Sequence, residues 1–159
     1  MLVPNIRQLA LDCLRESSVQ AKLASTAEAW RLIGQGACEV PGKDMPAVVR
    51  IEHPGRPAEP VLVAPAQLAQ RKLNSVEGRA ALVHAVAHIE FNAINLAWDA
   101  VYRFRGMPPD YYLDWASVAV DEARHFRLLA ARLEQLGYRY GDFPAHDGLW
   151  QMALDTDHD

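Results

Sequence analysis

The feature that most constrains this chain is a pair of long segments with helical periodicity, each with acidic or imidazole side chains in the middle of an apolar stripe. Glu90 lies within the first segment, and Glu122 and His125 form a Glu-x-x-His pair within the second. Carboxylates are seldom buried without a partner. The pattern therefore predicts two amphipathic helices whose inward faces hold a charge that something must compensate.

Helical geometry predicts which side chains meet. At about 100° per residue, five apolar residues fall within about 40° of Glu90: Val83, Val86, Ile94, Ala97 and Val101. The residues that share the face of Glu122 are Tyr111, Trp115, Val118, Phe126, Leu129 and Leu133. His125 lies about 60° from Glu122, near enough to join it on a common centre. Glu90, Glu122 and His125 are predicted to converge, while Arg124 and Arg127 are predicted to point elsewhere.

These three residue types suit a metal centre. Carboxylates with imidazole favour iron or manganese, and open coordination positions allow oxygen chemistry. A four-helix bundle that binds two irons takes one Glu from each of two helices and one Glu-x-x-His from each of the other two. Glu90, Glu122 and His125 would supply half of that set. The alternatives are a metal-free polar network in a helical interaction module, and a protein that oxidises ferrous iron for storage.

His84 and His88 form a second pair, four residues apart on one helical face. His88 lies about 160° from Glu90 around the helix, so it cannot bind the same ion. We expect both histidines to pack around the metal ligands or to form supporting hydrogen bonds, for example to the proline-rich segment described next.

The chain is predicted to have three segments: an N-terminal helical segment (1–36), a proline-rich strap (37–73) and the first half of a helical bundle (74–159). Six of the ten prolines fall between residues 40 and 72, which excludes a continuous helix there. This stretch is apolar enough to favour an extended strap over the alternative, a disordered connector.

Start and stop signals predict the helix bounds. The first helix is expected from Asn5 to about Ile33. The two long ones are expected from Asn74, capped with the help of Glu77, to Phe104, and from Pro109 to a left-handed C-cap at Gly137. Asp147 is predicted to cap a further helix.

Composition excludes several classes of protein. A length of 159 residues and a formal charge of −4 indicate one modest globular domain with no general attraction to nucleic acid or anionic membranes. Cys13 and Cys38 are expected to be free thiols. No signal peptide is visible at the N-terminus. The apolar stretch from Ala80 to Ala100 contains too many polar residues for a membrane span, so a cytoplasmic protein is expected.

The sequence resembles the ferritin-like family catalogued as domain of unknown function 455. The resemblance covers Pro54 to the C-terminus and rests on five stretches taken together: Pro54–Pro57, Glu77–Leu82, His84–Glu90, Asp121–Phe126 and Tyr140–Trp150. It implies an all-α, ferritin-like helical bundle, distantly similar to rubrerythrins and to a tRNA hydroxylase that use two irons. By the family pattern, Glu90, Glu122 and His125 take the places of ligands to iron or manganese.

The sequence also differs from the family pattern in one respect. Family members continue with a second half that bears another Glu and another Asp-Glu-x-x-His, so this chain is expected to be truncated relative to them. Either the missing C-terminal half or a second copy in a homodimer would then complete the site. If the site is active, the resemblance implies a di-iron-type oxidoreductase of an oxidase or hydroxylase lineage, with an unknown small-molecule substrate.

Overall fold

The computed structural model describes residues 2–157, and within that range the chain forms five α-helices and no β-strand. The helices are α1 (Ile6–Arg15), α2 (Val19–Gly34), α3 (Val76–Arg103), α4 (Pro109–Gln135) and α5 (Gly148–Asp155). A short 3-10 helix, Pro65–Gln67, lies in the proline-rich strap. The all-α prediction is confirmed.

The long helices begin and end close to the predicted residues, with one change at a cap. Ser75, not Asn74, caps α3, because its Oγ accepts a hydrogen bond from the Gly78 N–H at 3.0 Å. The Glu77 carboxylate instead accepts a hydrogen bond from Arg71 at 2.6 Å. Gly137 follows α4 with a φ of +85°, which is the predicted left-handed C-cap.

The predicted N-terminal helix is two helices. The backbone is extended at Glu16 and Ser18, with ψ of 121° and 134°, and this separates α1 from α2. Ser18 Oγ accepts a hydrogen bond from the Ala21 N–H at 3.3 Å. Serine favours such caps over helix interiors because its hydroxyl competes for backbone groups. Apolar periodicity on both sides of the break concealed it.

The chain divides into two compact units. The first comprises the residues up to 56 together with 94–121, and here α1 and α2 accompany the second part of α3. Trp98 is fully buried and its Nε1 donates a hydrogen bond to Thr26 Oγ1 at 3.0 Å. The buried Lys22 Nζ donates to Asn95 Oδ1 at 2.6 Å. These two bonds fix α2 against α3 inside the core of this unit.

The Pro54–Pro57 motif contributes to the first unit through Gly55. The Gly55 N–H donates a hydrogen bond to the Leu14 carbonyl at 2.6 Å. A Cβ at this position would clash with the carbonyl oxygens of Arg15 and Glu16, so only glycine allows so close an approach to the end of α1.

The second unit comprises 57–93 and the residues from 122 onward. Its part of the strap is extended and paired with the loop before α5. The Val63 N–H donates to the Ala145 carbonyl at 2.8 Å, and the Ala145 N–H donates to the Val61 carbonyl at 3.0 Å. The extended form expected for the strap is therefore present here. The division at residues 36 and 73 stays a prediction, and the two compact units cut across it.

The apolar stripes of α3 and α4 are only partly buried. Ile94, Ala97 and Val101 on α3 are buried as predicted. On α4, however, the side chains of Trp115 and Val118 are 37% and 38% exposed, although the helical period assigned them to an inward face. An apolar stripe predicts which face of a helix can be buried. It does not predict whether this chain supplies the element that covers that face.

By length and hydropathy, α3 could cross a membrane, but half of its most apolar window is buried within the protein. Buried polar residues lie along it, including Asn92, Asn95 and Asp99. Such a helix is typical of a protein core, where polar groups find partners that lipid cannot offer.

Candidate metal centre

Glu90 on α3 and Glu122 and His125 on α4 converge within the second unit. One ligand atom from each residue lies within 4.8 Å of the other two. His125 Nδ1 is 3.3 Å from Glu122 Oε2 and 3.9 Å from Glu90 Oε2. Within residues 2–157, no other group of three His, Cys, Asp or Glu side chains is arranged to hold an ion. The structure therefore brings together the three residues that helical periodicity selected.

Local packing explains the convergence. Glu122 and His125 are three residues apart on α4, so one turn of helix places them side by side. Phe91 follows Glu90 and Phe126 follows His125, and these two rings are in contact with their centroids 5.8 Å apart. Because both rings are buried, the contact fixes α3 beside α4 at the level of the three ligand candidates.

Two carboxylates held this closely cannot both ionise freely. Burial, then a hydrogen bond to Glu122 and the negative charge of Glu122, together raise the pKa of the Glu90 carboxyl from 4.5 to about 7, although His125 opposes them. The side chains of Glu90 and Glu122 are only 20% and 22% exposed. In the metal-free protein Glu90 therefore keeps its proton until near neutral pH, and a divalent cation would replace that proton.

Glu90→Gln is expected to stabilise the metal-free protein at alkaline pH. The folded protein holds a proton on Glu90 that the unfolded chain loses above the usual pKa of 4.5, so stability falls as pH rises from 4.5 to about 7. The variant lacks that loss. At pH 8 its free energy of unfolding should exceed that of the wild type by roughly 1–2 kcal/mol, since one pKa unit is worth about 1.4 kcal/mol and partial exposure screens the effect.

Urea unfolding at pH 4.5 and pH 8, with EDTA present, measures this difference. The two proteins should have similar stability at pH 4.5. Glu134→Gln, the same chemical change at an exposed position on α4, is the control and should change stability at neither pH. A Glu90→Gln protein that is less stable than the wild type at pH 8 would contradict the carboxylate pair described above.

The orientation of His125 determines which nitrogen can bind an ion. Nδ1 faces the carboxylates, whereas Nε2 lies 3.4 Å from Arg124 Nη2. An arginine can only donate, so the consistent metal-free tautomer carries its proton on Nδ1, donates it to Glu122 and accepts from Arg124 at Nε2. Binding an ion at Nδ1 requires that proton to leave. Arg124 and Arg127 are exposed and stay outside the cluster, as predicted, although the long side chain of Arg124 reaches the outer nitrogen of the adjacent histidine.

His84 and His88 lie apart from this cluster and organise the loop 138–147. The Gly141 N–H donates a hydrogen bond to His84 Nε2 at 2.9 Å. Tyr140 O–H donates to His88 Nδ1 at 2.8 Å, and His88 Nε2 donates to the His146 carbonyl at 3.0 Å. Burial and the neighbouring His88 lower the pKa of His84 to about 4, so His84 is neutral at physiological pH. These hydrogen bonds join both histidines to the loop. The sequence had suggested a hydrogen bond to the proline-rich strap as one example of such support.

Tyr140 is the residue of this region that periodicity did not identify. Its ring contacts Phe126, with centroids 4.9 Å apart, and Phe91, with centroids 5.8 Å apart. It therefore supports the two aromatic residues that adjoin the ligand candidates. The aromatic residues between Tyr138 and Phe143 were the available signal, but a loop has no period from which to predict an inward direction.

The three donor atoms fit a first-row divalent metal ion. Carboxylate oxygen and imidazole nitrogen bind such ions at about 2.0–2.2 Å, so two ligands of one ion lie at most about 4.4 Å apart. The distances of 3.3 Å and 3.9 Å from His125 Nδ1 already fall in that range. A donor set of nitrogen and oxygen without sulfur suits iron or manganese better than soft metals.

Comparison with known proteins agrees with the family resemblance. Residues 15–159 match the family described as "Protein of unknown function (DUF455)". A protein of Haemophilus influenzae (strain Rd), described as "Uncharacterized protein", is 46% identical over 125 residues, which cover 74% of this chain and 43% of that relative. The chain thus corresponds to less than half the length of the relative it matches. No solved structure matches it.

Proposed function

The chain belongs to the DUF455 family, and we propose that Glu90, Glu122 and His125 form one half of a carboxylate-bridged di-metal site in a ferritin-like bundle. The observation that carries the proposal is the approach of their ligand atoms to within 4.8 Å of one another. The preferred ions are iron or manganese, and the lineage proposed is that of an oxidase or hydroxylase. The all-α architecture is compatible with the ferritin-like assignment, which remains part of this proposal.

The residues have separate roles in this site. The carboxyl groups of Glu90 and Glu122 are hydrogen-bonded to each other, so we assign both to ligate or bridge the ions. His125 contributes Nδ1 and must release the proton that it donates to Glu122 in the metal-free form. The bound metal would supply activation of dioxygen or peroxide. Phe91 and Phe126 pack together and hold the helices that carry these ligands.

The remaining ligands must come from outside this half-site. A complete site of this type draws on four helices, and residues 2–157 supply one Glu and one Glu-x-x-His. We propose that a second copy of the chain, or another polypeptide segment equivalent to the longer part of its relative, supplies the rest. Partly exposed Trp115 and Val118 on α4 support association, because large apolar side chains at a surface mark interfaces.

The monomer is therefore expected to bind Mn²⁺ weakly, and association is expected to tighten binding. Mn²⁺ that binds the dimer in preference to the monomer must shift the equilibrium towards the dimer. Sedimentation velocity with and without Mn²⁺ measures this shift, and EDTA should reverse it. The Glu134→Gln chain serves as the control and should respond as the wild type does. Stoichiometric, chelator-resistant metal in a proven monomer would contradict the half-site.

Metal analysis of the purified chain, together with its mass in solution, separates the rival functions. A metal-free interaction module is favoured by one observation, the hydrogen bond that already connects His125 with Glu122 at 3.3 Å. If Fe²⁺ and Mn²⁺ fail to bind in any oligomeric state, that rival replaces the proposal. Oxidation of Fe²⁺ without any organic substrate would instead indicate an iron-storage protein.

A further inference from the structure

We propose that the first compact unit contains a binding site for a carboxylate with an apolar body, built around Arg7 on α1. The site is an open cavity of about 350 Å³ lined by the start of α1, by Tyr102 of α3 and by the segment Met45–Val49. It is separate from the three metal-ligand candidates, all of which belong to the second unit. The inference does not depend on the proposed metal site.

Arg7 is the unusual residue in this cavity. It is only 8% exposed, and its Nη1 donates a hydrogen bond to the Pro46 carbonyl at 2.8 Å. Its Nε and Nη2 are buried and have no hydrogen-bond partner among residues 2–157. Buried arginines are almost always paired, and buried donors are rarely left without an acceptor. A buried guanidinium in this state lacks an anion.

The two nitrogens without partners indicate the shape of that anion. Nε and Nη2 lie on the same edge of the planar guanidinium, and their N–H groups point in nearly the same direction. This edge matches the two oxygens of a carboxylate, which accept a pair of parallel hydrogen bonds. Nη1, on the other side, is already held by Pro46. The free edge therefore selects a planar, bidentate anion.

The first two backbone amides of α1 are not available as the binding group. The Ile6 N–H donates to the Glu39 carbonyl at 3.0 Å, and the Arg7 N–H donates to Asn5 Oδ1 at 2.8 Å. These amides, which could otherwise attract an anion, already have acceptors. The side chain of Arg7 must provide the recognition.

Apart from Asn5 and Gln8, the rest of the lining is mostly apolar and indicates an apolar body on the ligand. Leu11 and the segment Met45–Val49 contribute only apolar side chains to the cavity. The hydroxyl of Tyr102 is engaged, since it donates to the Val49 carbonyl at 3.2 Å. A ligand with an aliphatic or aromatic body would cover this surface, whereas inorganic phosphate would leave it in contact with water.

Binding requires the residues that cover Nε and Nη2 to move, and we assign this movement to the segment Met45–Val49, because its Pro46 carbonyl contacts Arg7. Nε and Nη2 have almost no contact with solvent in the present arrangement, so the carboxylate must displace part of what covers them. The segment lies outside every helix and several of its side chains are exposed. Because it is held to Arg7 by the bond to Pro46, its displacement and the arrival of the ligand are coupled.

Titration of the full chain with hexanoate, acetate, hexanol and inorganic phosphate tests the site. By calorimetry, hexanoate should bind saturably at one site and acetate at least about tenfold more weakly, because it lacks the apolar body. Hexanol and phosphate should not bind saturably. Arg7→Lys keeps the charge but loses the planar fork, and should weaken hexanoate binding by at least about tenfold. Arg15→Lys, an exposed position on the same helix, should leave binding unchanged.

A second measurement does not depend on how the variants fold. In the wild-type chain, the NMR resonance of the Arg7 Nε–H should move downfield as hexanoate is added and should saturate with the calorimetric curve. Hexanoate binding that leaves this resonance in place, or that persists unchanged in Arg7→Lys, overturns the proposal. So does the absence of hexanoate binding, or a saturable response to phosphate with none to hexanoate.

Discussion

Glu122→Gln is expected to lower the affinity of the chain for Mn²⁺ by about 100-fold or more, since loss of a residue that merely supports a ligand already costs about 10–100-fold. Glutamine keeps the size of the side chain but removes the charge that attracts the ion. Glu122 also lies 3.3 Å from His125 Nδ1, so its loss disturbs the second donor as well. Titration of Mn²⁺ followed by the EPR signal of the free ion gives both affinities under the same conditions.

Glu134→Gln supplies the matched control, because it makes the same chemical change on an exposed part of α4. Its Mn²⁺ affinity should equal that of the wild type. Thermal melting of Glu122→Gln without metal shows whether the fold survives, and removal of one of two close carboxylates should not reduce stability at neutral pH. Wild-type affinity in a folded Glu122→Gln protein would remove Glu122 from the site.

The sequence predicted the elements that depend on regular periods. Both long helices and the convergence of Glu90, Glu122 and His125 follow from 3.6-residue periodicity and from the breakers around Pro109 and Gly137. The result required no knowledge of distant contacts, because Glu122 and His125 are on one helix and α3 and α4 are consecutive. The chemical role assigned to these residues remains a prediction.

Features that depend on irregular backbone or on long polar side chains could not be predicted in the same way. The break at Ser18 interrupts a stretch whose apolar pattern continues on both sides. Arg124 reaches its neighbour His125 although adjacent helical residues do not usually face each other. Trp115 lies on a stripe that helical geometry turns inward, yet it is partly exposed. Burial depends on which element covers a face, and periodicity does not include that element.

Lys22 shows the same limit within the core. A lysine is ordinarily assigned to the surface, but this one is fully buried. Its Nζ donates to the carbonyl oxygens of Cys13 at 2.9 Å and Leu14 at 3.2 Å, at the end of α1, and to Asn95 Oδ1 at 2.6 Å. It thereby satisfies carbonyls that the helix end leaves open and connects α1 and α2 to α3. Burial lowers the pKa of Lys22 from 10.5 to about 8 and raises the pKa of Cys13 from 9.0 to about 12.

The stability of the protein is expected to rise with pH above 8 and then to level off near pH 9. Between pH 8 and 10.5 the unfolded chain holds a proton on Lys22 that the folded protein has lost, so alkaline pH favours folding. From pH 9 upward the unfolded Cys13 thiol ionises while the buried thiol does not, and this opposes the gain. Two substitutions should separate these contributions.

In Cys13→Ala, stability should continue to rise up to about pH 10.5, because the opposing thiol is gone. In Lys22→Met, the rise should be absent and stability should fall from about pH 9. Between pH 7.5 and 10.5, the difference in free energy of unfolding between Cys13→Ala and a double variant that carries both Cys13→Ala and Lys22→Met should grow by roughly 2–3 kcal/mol, at about 1.4 kcal/mol per pKa unit. Urea unfolding across this pH range measures the difference. The contributions of the tyrosines and of Cys38 cancel, because all the variants contain them. A difference that stays constant with pH would mean that Lys22 keeps its proton in the folded protein, and that its three hydrogen bonds, not its burial, control its ionisation.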